Sequence, residues 1–570
     1  MKLKFAGWVV GYAFFSTLII SCTTGQKGEI GIGKTLISEN GMVVSAQPEA
    51  SRVGAEILRK GGNAIDAAVA TEFALAVCHP TAGNIGGGGL MVIRMADGEV
   101  DAIDYRERAP GGSSRDMYLD QNGDVIEGLS TKTRLGSGVP GTVAGMVEAH
   151  ARYGRLTFKE VIQPSIDLAA KGFKISADQA SSFNRMKELF LERNSGNISF
   201  VNDSVWHEGD LLIQPELAAT LTLIRDNGSE GFYRGITAEL LVEEMKRGNG
   251  IITLSDLESY APVWRVPLKS DYRGYGIISM APPSSGGVAL IQLLEMVEKY
   301  PISEYGFQSP EAIHLMIEAE RRVYADRAEY LGDPDFITVP IEKLTNAKYL
   351  DNRMLDFNPH SATSSTDISS GALLPLESEE TTHYSVVDRN GNAVAATTTL
   401  NSGYGNGVVV SGAGFLMNNE MDDFSVKPGY PNSYGLVGGE ANSIAPGKRM
   451  LSSMTPTIVE KGGELYMVVG SPGGSTIITS VFQTIVNVVD FNMNLKEAVD
   501  APRFHHQWLP DNIAIEEGHF DTITIKYLED MGHIFVSRGS IGRVDAIRVI
   551  ENGRLEGGAD RRGDDSAAGY

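Results

Sequence analysis

Cysteine is nearly missing from this chain: two occur in 570 residues, Cys22 and Cys78. Cys22 closes an N-terminal leader-like stretch, so Cys78 is left without a partner and an internal disulfide is excluded. Cys78 sits in an Ala-rich apolar helix pattern, where a thiol acts as a small buried hydrophobe. A catalytic thiol is the alternative there. Positive charge is also scarce. Lys and Arg number 49 against 72 Asp and Glu, a net charge of −23. No basic footprint for nucleic acid follows from such a balance, nor electrostatic attachment to anionic lipid. Neither H-E-x-x-H nor G-x-S-x-G is present, so no motif supports a metal site or a serine hydrolase. His505 and His506 are adjacent and would face opposite ways on a strand. No metal and no cofactor is expected.

Two glycine-rich stretches mislead. Gly28 to Thr35, "GEIGIGKT", matches a phosphate-binding pattern, but no buried strand precedes it and a turn and strand follow it. Gly83 to Gly89, "GNIGGGG", follows a helical run and precedes the strand-like "LMVIRM". That order is wrong for a dinucleotide fingerprint. Its glycines more simply let backbones pack closely or approach a ligand.

What is present begins with export. Lys2 and Lys4 precede an uncharged apolar run from Phe5 to Ile20. Its length and flanks fit a signal segment better than a membrane span. The end, Ile19-Ile20-Ser21-Cys22, resembles the lipobox of bacterial lipoproteins. That resemblance implies removal of residues 1–21 and lipidation of Cys22, which would anchor the protein at a membrane in the cell envelope or periplasm. The alternative is an ordinary signal peptide with an incidental Cys.

The body of the chain is globular in composition, 42% hydrophobic and 21% charged. Residues 49–77 predict two helices broken at Gly61-Gly62, the second buried against a sheet. Residues 140–250 are helix-rich, with segments stopping at or near Gly. Two further helices follow, in "PPSSGGVALIQLLEMVEKY" and "SPEAIHLMIEAERRVYADRAEYLG". Residues 361–380 open with a small, polar, aperiodic stretch that reads as a loop. After it come strands, "THYSVVD", "AVAATTTL", "TPTIVE" and "LYMVVGS", then the apolar helix "STIITSVFQTIVNVVDF". No internal repeat is evident. This order predicts a layered α/β protein around a packed double sheet.

Thr381 and Thr382 stand where the loop meets the first of those strands. A Thr hydroxyl is a poor nucleophile unless a base adjoins it. The α-amine of an N-terminal Thr can be that base, with a pKa of about 7.7–8.0. Downstream, Gly473-Gly474 lead directly into the apolar helix, so their backbone N–H groups could stabilise an oxyanion.

Motifs in this order resemble the γ-glutamyltranspeptidases of the N-terminal-nucleophile hydrolases. Those that carry the resemblance are "GGNAIDAAVATEFAL", "GNIGGGG", "DYRERAP", "TTHYSVVD", "TLNSGYGNG", "MNNEMDDF", "YGLVGG", "LSSMTPTIV", "GSPGG" and "APRFHHQW". The resemblance implies a four-layer αββα fold, two antiparallel sheets sandwiched between helices. It implies self-cleavage between Glu380 and Thr381, giving a large subunit 22–380 and a small subunit 381–570 that share one fold as a heterodimer. Thr381 would be the nucleophile, Thr399 its neighbour in processing, and Gly473 and Gly474 the oxyanion donors. Arg106 would grip the substrate α-carboxylate, with Ser452 and Ser453 as hydroxyl donors. Asn401, Glu420 and Asp423 would receive the α-ammonium. Position 420 is Glu, where some relatives carry Gln. Tyr434 would belong to a lid over the site. The implied substrates are glutathione and other γ-glutamyl compounds, with water or amino acids and peptides as acceptors. A cephalosporin acylase, a poly-γ-glutamate hydrolase and an inactive lipid-anchored binding protein are the alternatives.

Overall fold

The computed structural model describes residues 29–196, 198–368, 381–430, 432, 436 and 438–570. The leader with Cys22, Glu380 at the expected scissile bond and Tyr434 of the expected lid lie outside the described residues. Among the described residues no helix is long and apolar enough to cross a membrane.

Two large sheets carry the fold, and every strand pairing in both is antiparallel. The first has eight strands. Across it run Gly31–Gly33, Ser566–Gly569, Gly41–Ser45, Thr381–Asp388, Ala393–Thr399, Gly88–Arg94, Val100–Asp104 and Val263–Arg265. The second has seven: Thr35–Ser38, Leu555–Ala559, Asp545–Val549, Glu464–Gly470, Thr457–Lys461, Tyr275–Ser279 and Leu268–Tyr272.

Side-chain alternation along each strand explains the layering, because successive residues point to opposite faces. In the first sheet Tyr384 and Val386 pack into a helical core with Phe73, Leu75 and Val143. Their neighbours Val387, Ala393 and Ala395 instead meet Ile278, Ile458 and Val468 of the second sheet. The far face of the second sheet, through Ile277, Val459, Met467 and Val469, packs on Leu290, Leu293, Ile478 and Phe482. Helix, sheet, sheet, helix is the four-layer arrangement expected. The central strands Gly41–Ser45, Thr381–Asp388, Ala393–Thr399 and Gly88–Arg94 are buried throughout, whereas the edge strand Leu268–Tyr272 keeps exposed positions.

The predicted helices form as Pro48–Lys60, Ala64–Cys78, Gly286–Glu298, Pro310–Tyr330 and Thr476–Val489. Gly61, at φ +104°, ends the first of them. The side chain of Asn63 caps the second by accepting from Ile65 N and Asp66 N. All fifteen residues of Ala64–Cys78 are buried, and burial pushes the Cys78 thiol far up, which leaves it unreactive. The glycine-rich run at 83–89 serves close packing. A Cβ on Gly87 would stand 2.1 Å from the carbonyl of Thr399. The phosphate-loop decoy is two short strands, and Lys34 Nζ donates to the carbonyls of Asp560 and Gly563.

Candidate active site

Strand register brings the first two predicted residues together. Thr381 lies opposite Thr399 in the antiparallel pair, and both open into one cavity of about 540 Å³, counted out to open solvent. Beyond Thr399 the chain turns sharply. Asn401 takes φ +74°, its backbone N donates to Thr399 Oγ1 at 2.7 Å, and its Nδ2 donates to the Asn419 carbonyl at 3.0 Å. Asn tolerates left-handed backbone better than most residues. The turn therefore links the strand paired with that of Thr381 to the acidic segment that begins after Asn419.

That segment is the short helical turn Glu420–Asp423. Arg106, 1% exposed, donates from Nη1 to Glu420 Oε1 and from Nη2 to Asp423 Oδ2. Glu107 Oε2 lies 3.7 Å from Arg106 Nη1. Burial opposes the Arg106 charge, but Glu420, Asp423 and Glu107 outweigh it and hold the guanidinium protonated. Burial likewise pushes the Glu420 carboxyl well up and Asp423 up, against the pull of Arg106. It lifts Glu107 to about 7. The cation and the acids expected to grip opposite ends of a substrate are thus each other's partners in this structure. Glu420 Oε2 has no hydrogen-bond partner among the described residues.

Ser452 and Ser453 line the same cavity. Ser452 Oγ accepts from Met454 N at 3.1 Å, and Ser453 Oγ accepts from Arg327 Nη2 at 3.1 Å. Asn442 ties this segment to the acidic turn: Nδ2 donates to the Asp423 carbonyl at 2.6 Å, and Oδ1 accepts from Leu451 N at 3.0 Å.

The glycine pair divides between two cavities. Gly474, at φ +54°, lines the Thr381 cavity with Ser475, at the start of Thr476–Val489. Gly473, at φ +131°, lines the neighbouring one with His79 and Arg543. Both angles lie in the region that favours glycine. Substituting Gly473 would in addition press a Cβ to 2.4 Å from Thr476 Oγ1.

Arg327 and Asn442 escaped the sequence reading. Arg327 belongs to Pro310–Tyr330, which carries charged residues along its whole length among apolar ones. Such a helix looks solvated, yet Ala312 to Ala328 are all buried. The structure also brings together His314, Glu318 and His533 away from this cavity. Glu318 is already occupied by Arg322 Nη1 at 2.7 Å and Thr363 N at 3.0 Å. Two guanidiniums beside it, Arg321 and Arg322, disfavour a cation there. His505 and His506 do point apart, His505 to Ser475 and Thr479, His506 to Asp511.

Comparison with known proteins places these features in a family. Residues 50–570 match the family model described as Gamma-glutamyltranspeptidase. The glutathione hydrolase proenzyme of Escherichia coli (strain K12) is 48% identical over 537 residues, covering 94% of this chain and 92% of the relative. A cephalosporin acylase from Bacillus halodurans superposes with a TM-score of 0.80 at 25% identity, over 94% of this chain and 97% of that one. A chain of Helicobacter pylori gamma-glutamyltranspeptidase gives a TM-score of 0.55 at 46% identity, over 57% of this chain and 94% of that one. With the family model matched across nearly all of its described length, this chain belongs to the gamma-glutamyltranspeptidase family.

Proposed function

We propose that this chain is the precursor of a γ-glutamyl hydrolase and transferase acting on glutathione and related γ-glutamyl compounds. The observation that carries the proposal is the position of Thr381, at a strand head inside a cavity that also holds Arg106, Glu420, Asp423, Ser452 and Ser453. One guanidinium, two carboxylates and two hydroxyls complement an amino-acid head group.

Activation is a transfer of the chain onto its own side chain. Thr381 Oγ attacks the carbonyl carbon of Glu380, the Glu380–Thr381 C–N bond breaks, and the nitrogen takes up a proton as the free α-amine. Water then hydrolyses the resulting ester and restores the Thr381 hydroxyl. Catalysis repeats the chemistry on substrate. The α-amine of Thr381 takes the Oγ proton while Oγ attacks the γ-carbonyl. Backbone N–H groups at Gly473 and Gly474 receive the developing oxyanion, each such donor contributing about 10²–10³ in rate. The proton passes to the leaving amine, and water or an acceptor amine resolves the acyl-enzyme.

Head-group binding is an exchange of partners. The substrate carboxylate takes over Arg106, whose planar fork suits it, and the α-ammonium takes over Glu420, Asp423 and Asn401. Opposite charges remain paired before and after, so no buried charge is left alone. An acylase lacking this head group is the second reading, motivated by the cephalosporin acylase likeness. Asp423 is the discriminator, because an acyl chain without an α-amine has no use for it.

The test is a gel and an end-group determination on one preparation. Wild-type protein should resolve into two fragments, the shorter beginning at Thr381 and the longer blocked by lipid at Cys22. Thr381→Ala should stay in one piece and release no product from a γ-glutamyl anilide. A full-length band that persists in the wild type, or activity in Thr381→Ala, would remove Thr381 from the mechanism. An unblocked longer fragment would remove the anchor alone.

A further inference from the structure

We infer that Arg327 is a positioning residue that aims the hydroxyls of Ser452 and Ser453 at the substrate carboxylate. This rests on the head-group reading above. Arg327 comes from the buried helix Pro310–Tyr330 and reaches the cavity wall. Its two arms do different work. Nη2 donates to Ser453 Oγ at 3.1 Å, and Nε donates to Ser285 Oγ at 2.9 Å. Ser285 Oγ in turn donates to the Ser452 carbonyl at 2.6 Å, and its backbone N donates to the same carbonyl at 2.8 Å. One guanidinium therefore fixes both members of the serine pair, Ser453 directly and Ser452 through Ser285.

Donor direction follows from this. A guanidinium has only donors. Ser453 Oγ accepts from Arg327, so its single proton must point elsewhere. The described residues offer that proton no acceptor, and Ser453 faces the cavity. Ser452 Oγ is committed as an acceptor from Met454 N in the same way. Both serines are left as oriented donors, which is what a carboxylate requires of a hydroxyl. Without Arg327, Ser453 could turn its proton inward and present a lone pair to an anion.

A planar fork serves both contacts at once, and a lysine ammonium on a flexible stem does not reproduce that geometry. This separates orientation from charge, since Arg327 also contributes positive potential at Asp423. The experiment uses calorimetric titration with L-glutamate, which needs no turnover, alongside steady-state kinetics with a γ-glutamyl anilide. Arg327→Met should weaken glutamate binding and raise KM about tenfold or more, with kcat changed less than about threefold. Arg327→Lys should resemble Arg327→Met. Ser453→Ala should lose a comparable factor, and adding it to Arg327→Met should cost little more, because the two act as one unit. Wild-type affinity in Arg327→Lys would mean that charge alone matters and would overturn the proposal. So would independent, multiplying losses, or no loss in Ser453→Ala, a variant that tests the idea even where Arg327 substitutions fail to accumulate. Wild-type protein that binds glutamate but neither cleaves itself nor turns over substrate would sink the functional reading and leave the positioning role standing.

Discussion

Arg106 sits between Glu420 and Asp423 with Glu107 alongside, all but Asp423 nearly sealed from solvent. Removing one member of such a group leaves its partners mispaired, which sets the expected cost of Asp423→Asn. Hydrogen bonds to charged groups are worth about 1.5–3 kcal/mol. KM for a γ-glutamyl anilide should therefore rise about tenfold or more in that variant. A glutaryl anilide, which lacks the α-amine, should be turned over with little change. Equal losses on both compounds would show that Asp423 supports the fold of the site and not the ammonium. The residue types of this proposed receptor were legible because its acids, serines and Arg106 lie in short recognisable motifs. Their pairing with one another was not, since it depends on a contact between positions 106 and 420 that no local pattern encodes. Arg327 was hidden for another reason. A charged helix is read as solvated, and only tertiary packing shows it buried.

Helix Ala64–Cys78 illustrates legibility at the scale of an element. It is apolar nearly all round, which signalled burial, and the Gly61-Gly62 break before it appears in the sequence. Within it lies Glu72, fully buried, with neither carboxylate oxygen hydrogen-bonded among the described residues. Burial lifts this carboxyl to about 8 despite the nearby Tyr384 and Thr398 hydroxyls. An unfolded Glu titrates at about 4.3. Between those values the folded state holds a proton that the unfolded state has lost, so stability falls as pH rises. Below about 4.3 the effect vanishes, and above about 8 it is complete. Glu72→Gln should match wild type in denaturant melts near pH 4 and exceed it by a few kcal/mol near pH 9, on the order of 1.4 per pH unit of the window. A constant difference across that range would refute the assignment. Other elements left weak signals. Helix Ala177–Arg193 announces itself only by its capping box, Ser176 with Gln179. Strands Leu555–Ala559 and Ser566–Gly569 are built largely of Gly and Ala, residues of low strand preference. They are strands because of what flanks them: a Cβ on Gly557 would meet Met42 Sδ at 2.4 Å.

Over the whole molecule, the proposed subunits interleave. In the first sheet, strands from before residue 380 and after it adjoin at four places, and in the second sheet at two. Helices from both parts share one outer core, and in the other, helices from before residue 380 pack on strands from both parts. A cut at Glu380–Thr381 thus severs the chain without dividing any layer. The fragments should co-elute in one peak from a sizing column and part only at denaturant concentrations that also abolish the circular-dichroism signal. Release of either fragment under native conditions would contradict this. The layering was legible from the change of texture across residues 361–380, whereas the alternation of the two parts within each sheet was not, because strand order is set by long-range pairing. That order has a practical corollary. Gly31 lies opposite Gly569 on adjacent antiparallel strands, so a short hairpin turn could join them. A circularly permuted gene could then open at Thr381 behind a removable leader and run through Gly569 into Gly31. Translation would deliver the free threonine amine directly, and the self-cleavage step would become dispensable.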